Sequence, residues 1–127
     1  MEIIKIAATH DTPNVIMDAE NGVFELSGKS LPEDVNSFYS PIVEWLDKYA
    51  ENPNPKTILD LKLDYINTAS SKFLFTIFLK LEKMFEDGKD ILIRWHFADD
   101  DEDMQDVGEE FAEVIKIPFE HISYSVD

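Results

Sequence analysis

The last four strand-like segments of the chain are each separated by a helical one, and this alternation restricts the fold more than any other feature. Val23 to Leu26, Thr57 to Leu63, Asp90 to Phe97 and Phe119 to Val126 carry apolar, β-branched or alternating residues. Strands joined through helices favour parallel neighbours with right-handed crossovers. Two more strand-like runs precede them, Glu2 to Ala8 and Asn14 to Asp18. Between Asp18 and Val23 lies Ala19-Glu20-Asn21-Gly22, where Asn-Gly supplies the positive φ that a tight hairpin needs. Gly28-Lys29-Ser30-Leu31-Pro32 closes this section. The order βββ-α-β-α-β-α-β predicts an α/β fold: a single mixed β-sheet of about six strands, with about three helices packed mainly on one face.

The first two helices are legible by period. Val35, Phe38, Tyr39, Ile42, Leu46 and Tyr49 form one apolar stripe. Pro41 lies inside it, so the helix either kinks there or has its regular part start near Ser40. Asn52-Pro53-Asn54-Pro55 ends it. Asn67 or Thr68 caps a long second helix running to about Asp87, with Gly88 as its stop. A third helix is expected between about Glu102 and Val114. With 127 residues the chain is the size of one domain, 1–127, and no linker or internal repeat divides it.

Charge and composition remove several functions. Lys+Arg is 11 against Asp+Glu 27, a formal net charge of −16. Nucleic-acid phosphates and anionic lipid headgroups both call for clustered positive charge, so neither is an expected partner. Cys is 0, which excludes disulfides, thiol nucleophiles and cysteine metal sites and suits a reducing compartment. With only 4 glycines, a glycine-rich phosphate cradle is not expected. Met1-Glu2-Ile3-Ile4-Lys5-Ile6-Ala7 shows no targeting pattern. The apolar stretch Phe73 to Leu79, interrupted by Thr76, is far short of the ~20 residues of a membrane span. The expectation is a cytoplasmic protein.

The segment from Ile58 to Ser71 is the most informative for function. A buried strand leads to a hydroxyl-rich turn, Asn67-Thr68-Ala69-Ser70-Ser71, which opens an apolar helix. A hydroxyl there either caps the helix or accepts a phosphate, whose charge the unpaired N–H groups and dipole tolerate. Along the helix, Leu74, Ile77, Phe78, Leu81 and Phe85 make the natural core stripe. Phe75 and Leu79 fall off it and are either covered by a neighbouring helix or form an exposed edge beside Thr68. Lys72, Lys80 and Lys83 fill the far face.

Other constellations are weaker. In Asp99-Asp100-Asp101-Glu102-Asp103, calcium-loop spacing would place Glu110 at the last ligand, but Met104 stands where the loop needs Gly. A solvated acidic loop opening a helix is the reading adopted, with no metal and no cofactor. His10, His96 and His121 lack the spacing of a helical metal site, and His96 reads as structural. No Gly-x-Ser-x-Gly elbow occurs. Arg94, mid-strand beside Trp95, is placed to pair with Asp60 or Asp64 as structural support.

The turn resembles the anti-anti-sigma (STAS) switch motif, where a strand leads to an Asp-Ser-Ser-Gly turn whose first Ser is the phosphoacceptor. Thr68 falls at the acceptor, Asn67 at the Asp, and Ser70 departs from the Gly. Nearly the whole chain resembles the SiaC family of bacterial regulatory phosphoproteins. The residues that carry this are Leu31-Pro32-Glu33, Phe38-Tyr39, Pro41, Trp45-Leu46, Leu59-Asp60-Leu61, Tyr65 through Lys72, Ile93-Arg94-Trp95-His96, Glu109-Glu110-Phe111 and Pro118-Phe119. The family's acceptor Thr lies in an Asn-Thr-Ser-Ser turn, matched by Asn67-Thr68-Ala69-Ser70 with the acceptor intact. The resemblance implies a protein without catalytic residues of its own, phosphorylated on Thr68 by a cognate Ser/Thr kinase and reset by a metal-dependent phosphatase. Its unphosphorylated form would bind and activate a diguanylate cyclase in c-di-GMP signalling linked to biofilm formation. The docking surface expected is Asn67, Ala69, Ser70, Ser71, Lys72, Phe75 and Leu79. Two rival classes are a small hydrolase, which needs a nucleophile and base in one pocket, and an acidic DNA mimic, which needs carboxylates spread over one broad face.

Overall fold

The computed structural model describes residues 1–126; Asp127, the end of the expected domain 1–127, lies outside the described residues. Its elements are β1 (Ile4–Ile6), β2 (Asn14–Asp18), β3 (Val23–Ser30), α1 (Val35–Tyr49), β4 (Lys56–Ile66), α2 (Thr68–Glu86), β5 (Asp90–Ala98), α3 (Glu102–Val114) and β6 (Phe119–Tyr124). The strands form one mixed sheet in sequence order, β1-β2-β3-β4-β5-β6. The first three are antiparallel neighbours, while β3 to β6 are parallel. Each parallel crossover steps the same way across the sheet, so right-handed connections put every crossover helix on one face.

The burial pattern follows from that placement. On β4, Thr57, Leu59, Leu61 and Leu63 are buried towards the helices, while Lys62 and Asp64 on the opposite face are exposed. Alternation of this kind marks a sheet with one face in the core and one in solvent. The core gathers Leu26, Leu61, Ile93 and Trp95 from the sheet with Tyr39, Ile42, Leu74, Ile77, Phe78 and Phe111 from the helices. The open face is laced by polar pairs. Asp60 Oδ1 lies 2.8 Å from His96 Nε2, and Lys62 Nζ sits 4.5 Å above the Tyr124 ring.

Several boundaries differ from the sequence reading for local reasons. α1 begins before Pro41 and runs through it, capped by Asp34, whose carboxylate accepts from Ser37 N at 3.1 Å and Ser37 Oγ at 2.8 Å. Those hydrogen bonds, the side-chain one first, hold the Asp34 carboxyl below its ordinary value. The first strand shrinks to Ile4–Ile6 and the last stops at Tyr124. β3 continues through Gly28, at φ +106°, to Ser30, because glycine accepts a backbone conformation that would end the strand for other residues. Opposite, Gly28 pairs with Leu63 and Lys29 with Tyr65, leaving Asp64 out of the register. This irregularity lengthens β4 to Ile66 and turns Ile66, rather than Tyr65, towards the helices. On α2, Met84 rather than Phe85 completes the buried stripe, and Trp45 joins that of α1.

Candidate functional site

The turn between β4 and α2 divides its three hydroxyls among three environments. Asn67 is the cap: its Oδ1 accepts from Ser70 N at 2.8 Å, and its carbonyl accepts from Ser71 N at 2.9 Å. Thr68 is therefore the first residue of the helix, not its cap. It is exposed, and among the described residues no hydrogen bond engages its hydroxyl. Ser70 is fully buried. Its Oγ accepts from Ser30 Oγ at 2.8 Å, and Ser30 Oγ in turn is hydrogen-bonded to Tyr39 Oη. The expectation that Ser70 contacts a partner is corrected here, because its side chain points into the core. Ser71 is half-buried at the groove wall, and Ala69 is exposed beside Thr68. Burial raises the Tyr39 hydroxyl above its ordinary value, so it stays a neutral donor.

An open groove of about 460 Å³ starts at this turn, lined by Ile66, Asn67, Thr68, Ser71, Lys72 and Phe75 on one side and Val107 and Phe111 of α3 on the other. It continues along Phe75 past Glu110 to Val114. Thr68, Lys72, Phe75 and Leu79 are spaced 4, 3 and 4 residues apart, so they make one stripe on the outer shoulder of α2. Phe75 is 38% exposed and Leu79 43%, which settles their placement: α3 packs on Phe78 through Phe111 and leaves both uncovered. Lys80 reaches Asp47 at 2.7 Å and Lys83 reaches Asp87 at 3.1 Å, whereas Lys72 makes no ion pair among the described residues.

The residues expected to support the site lie elsewhere. Arg94 faces Asp60 in register but pairs with Glu120, at 3.7 Å, and Asp60 instead takes His96. Asp64 is exposed at the register shift, and Arg94 does not pair with it. Trp95 points the other way, into the core, with its indole N–H donating to Met104 O at 2.9 Å. The acidic run opens α3: Asp101 is its cap, accepting from Met104 N at 3.0 Å, and Glu102 and Asp103 stand in its first turn. Glu110 lies on the helix itself. Sequence reasoning missed the α3 wall of the groove, although Val107, Phe111 and Val114 recur at intervals of 4 and 3 residues. It also missed Ser30, which nothing in the local sequence connects to a turn nearly forty residues away.

The chain is thus a small α/β protein in which a six-stranded mixed sheet carries an exposed helix-head hydroxyl at the mouth of an open apolar groove. A family model described as SiaC family regulatory phosphoprotein matches residues 6–124, and the chain belongs to that family. It is 29% identical over 119 residues to an uncharacterized protein of Pseudomonas aeruginosa (strain UCBPP-PA14), covering 94% of each chain. The crystal structure of apo-SiaC from Pseudomonas aeruginosa superimposes with a TM-score of 0.88 at 29% identity, over 96% of this chain and 99% of that one. A chain in the crystal structure of diguanylate cyclase SiaD in complex with its activator SiaC, from the same organism, gives 0.90 at 28% identity, over 95% and 99%. No helix among the described residues is long and apolar enough to cross a membrane.

Proposed function

We propose that this protein is a partner-switching phosphoprotein whose switch is Thr68, acting in the cytoplasm as one regulatory domain over residues 1–127 and catalysing no reaction itself. In the forward step a cognate Ser/Thr kinase transfers the γ-phosphoryl group of ATP to Thr68 Oγ1. The new P–O bond replaces the bond to ADP, and the hydroxyl proton leaves to the kinase's base. A metal-dependent phosphatase hydrolyses the ester and restores the hydroxyl. The unphosphorylated form binds and activates a diguanylate cyclase through the groove beside Thr68, with Asn67, Ala69, Ser71, Lys72, Phe75 and Leu79 at the interface. c-di-GMP output, and with it biofilm formation, follows the state of Thr68.

The observation that carries this reading is the separation of roles in the turn. Asn67 caps, Ser70 is locked in the core, Ser71 is half-buried at the groove wall, and Thr68 is the hydroxyl of the turn that stands exposed to solvent without a hydrogen bond among the described residues. A phosphate there adds about two negative charges next to the positive end of the α2 dipole, so the helix tolerates it while a docked partner meets new charge and bulk. The partner class rests on the SiaC chain seen in complex with the cyclase SiaD, which shares this fold at 28% identity. Incubation with the cognate kinase and ATP, followed by peptide mapping, tests the assignment. One phosphate on Thr68, abolished in Thr68→Ala, is expected; a phosphate on Ser71 with Thr68→Ala still fully modified would sink it.

A further inference from the structure

Beyond its covalent link to β4, the turn that carries Thr68 is hydrogen-bonded to the sheet through Ser30, which contributes two different groups. The backbone carbonyl of Ser30 accepts from Asn67 N at 3.0 Å, and the Ser30 side chain donates to Ser70 Oγ at 2.8 Å. Ser30 thus holds the turn immediately before Thr68 and two residues after it. The Tyr39 hydroxyl, from α1, fixes the orientation of the Ser30 hydroxyl. All three side chains are fully buried. The Asn67 cap is internal to the turn and moves with it, so it cannot set where the turn stands on the sheet.

We propose that Ser30, with Tyr39 and Ser70, is a positioning unit for the Thr68 hydroxyl, fixing the angle at which the first turn of α2 presents it to an incoming phosphoryl group. The proposal rests on the reading of Thr68 as the phosphoacceptor. Three neutral hydroxyls in an apolar core contribute little net stability over an apolar filling of the same shape. They do contribute directionality, since a buried hydrogen-bond chain is satisfied in one arrangement and an apolar contact in many. Phosphoryl transfer is sensitive to that difference, because a misplacement of about 1 Å costs on the order of 100-fold in rate. The Gly28 conformation and the register shift at Asp64 serve the same geometry, bringing Ser30 and Ile66 into register next to the turn.

The test is the rate of phosphate incorporation at Thr68 by the cognate kinase, with kcat and KM separated, together with amide hydrogen exchange of Asn67 and Ser71. Ser30→Ala is expected to lower kcat about tenfold or more, with KM within about twofold, and to speed exchange at both amides. Ser30→Thr keeps the hydroxyl and is expected to restore both. Tyr39→Phe keeps the ring stacked on Phe73 and is expected to move both in the same direction by less, so it carries the test should Ser30→Ala fail to fold. Tyr49→Phe is the control. It deletes a buried hydroxyl bonded to Thr57 at the opposite end of β4 and is expected to leave kcat at the wild-type value. A wild-type kcat in Ser30→Ala or Tyr39→Phe, or an equal loss in Tyr49→Phe at a matched melting temperature, overturns the positioning role while leaving Thr68 as acceptor. A wild-type chain not modified at Thr68 overturns both.

Discussion

Asn67 and Thr68 are adjacent, yet only Asn67 of the two is engaged in closing the helix end. Asn67 satisfies a helix N–H that would otherwise face solvent or nothing, and Thr68 satisfies none among the described residues. Urea denaturation should therefore show Asn67→Ala losing about 1 kcal/mol. Thr68→Ala should stay within about 0.5 kcal/mol of wild type, as an ordinary surface change does. Equal losses at the two positions would mean that the threonine, not the asparagine, caps the helix. The outcome bears on any use of Thr68→Ala as a non-phosphorylatable variant, because the account predicts that its phenotype is free of a folding defect. From sequence the two residues were interchangeable as caps. Only the bond from Asn67 Oδ1 to Ser70 N distinguishes them, and that depends on backbone geometry.

At the scale of elements, α2 and α3 lie side by side and meet deep in the core but part at the surface. Their deep contact is Phe78 against Phe111, with rings 5.0 Å apart. α3 also closes onto β5 where Gly108 meets Trp95. A Cβ at Gly108 would lie 2.4 Å from the indole Cδ1, with no room between helix and ring. Gly108→Ala should therefore cost about 1–3 kcal/mol by overpacking, read as a lower urea midpoint, even though alanine is the better helix former. A neutral or stabilised variant would show that α3 does not seat on Trp95 this closely. At the surface Phe75 and Leu79 are left half-open, so Phe75→Asp with Leu79→Asp should leave the protein folded, at a cost of about 2–4 kcal/mol from the covered part of the two side chains. The same variant should weaken cyclase binding at least tenfold in a calorimetric titration, with full binding showing that the groove is not the interface. Much of this layer was legible. The 3.6-residue period placed the first two helices, and the helical spacing set Phe75 and Leu79 off the core stripe; the third was expected in its place without its apolar stripe being read. Whether α3 covered them was not legible, since it depends on how far apart two helices sit on a sheet. Nor were the extensions of β3 and β4, because Gly28 reads as a strand end until its partner strand is seen to skip Asp64. The polar pairs of the open face were misassigned for a related reason: Arg94 and Asp60 are in register, but the His96 ring and the Glu120 carboxylate from neighbouring positions reach them first.

For the whole molecule the ruling quantity is the net charge of −16. The groove opens between the Thr68 turn and an α3 that carries Asp103, Asp106, Glu109, Glu110 and Glu113, with Lys72 as the cation on its α2 side. On the proposed reading, a phosphate on Thr68 would add to charge that is already unbalanced, and would act on a partner both by occupying the groove mouth and by deepening a negative field that extends about 8 Å at physiological salt. The fold itself needs no rearrangement for this, since the phosphate sits at a helix end that favours it. The central claim is that the state of Thr68 controls docking, and it is tested most directly by titrating a diguanylate cyclase with the unmodified and the stoichiometrically phosphorylated protein side by side in a calorimeter. The account predicts that the unmodified protein binds and that phosphorylation weakens binding tenfold or more, about 1.4 kcal/mol. Equal affinity of the two forms, with both fully folded, would contradict it.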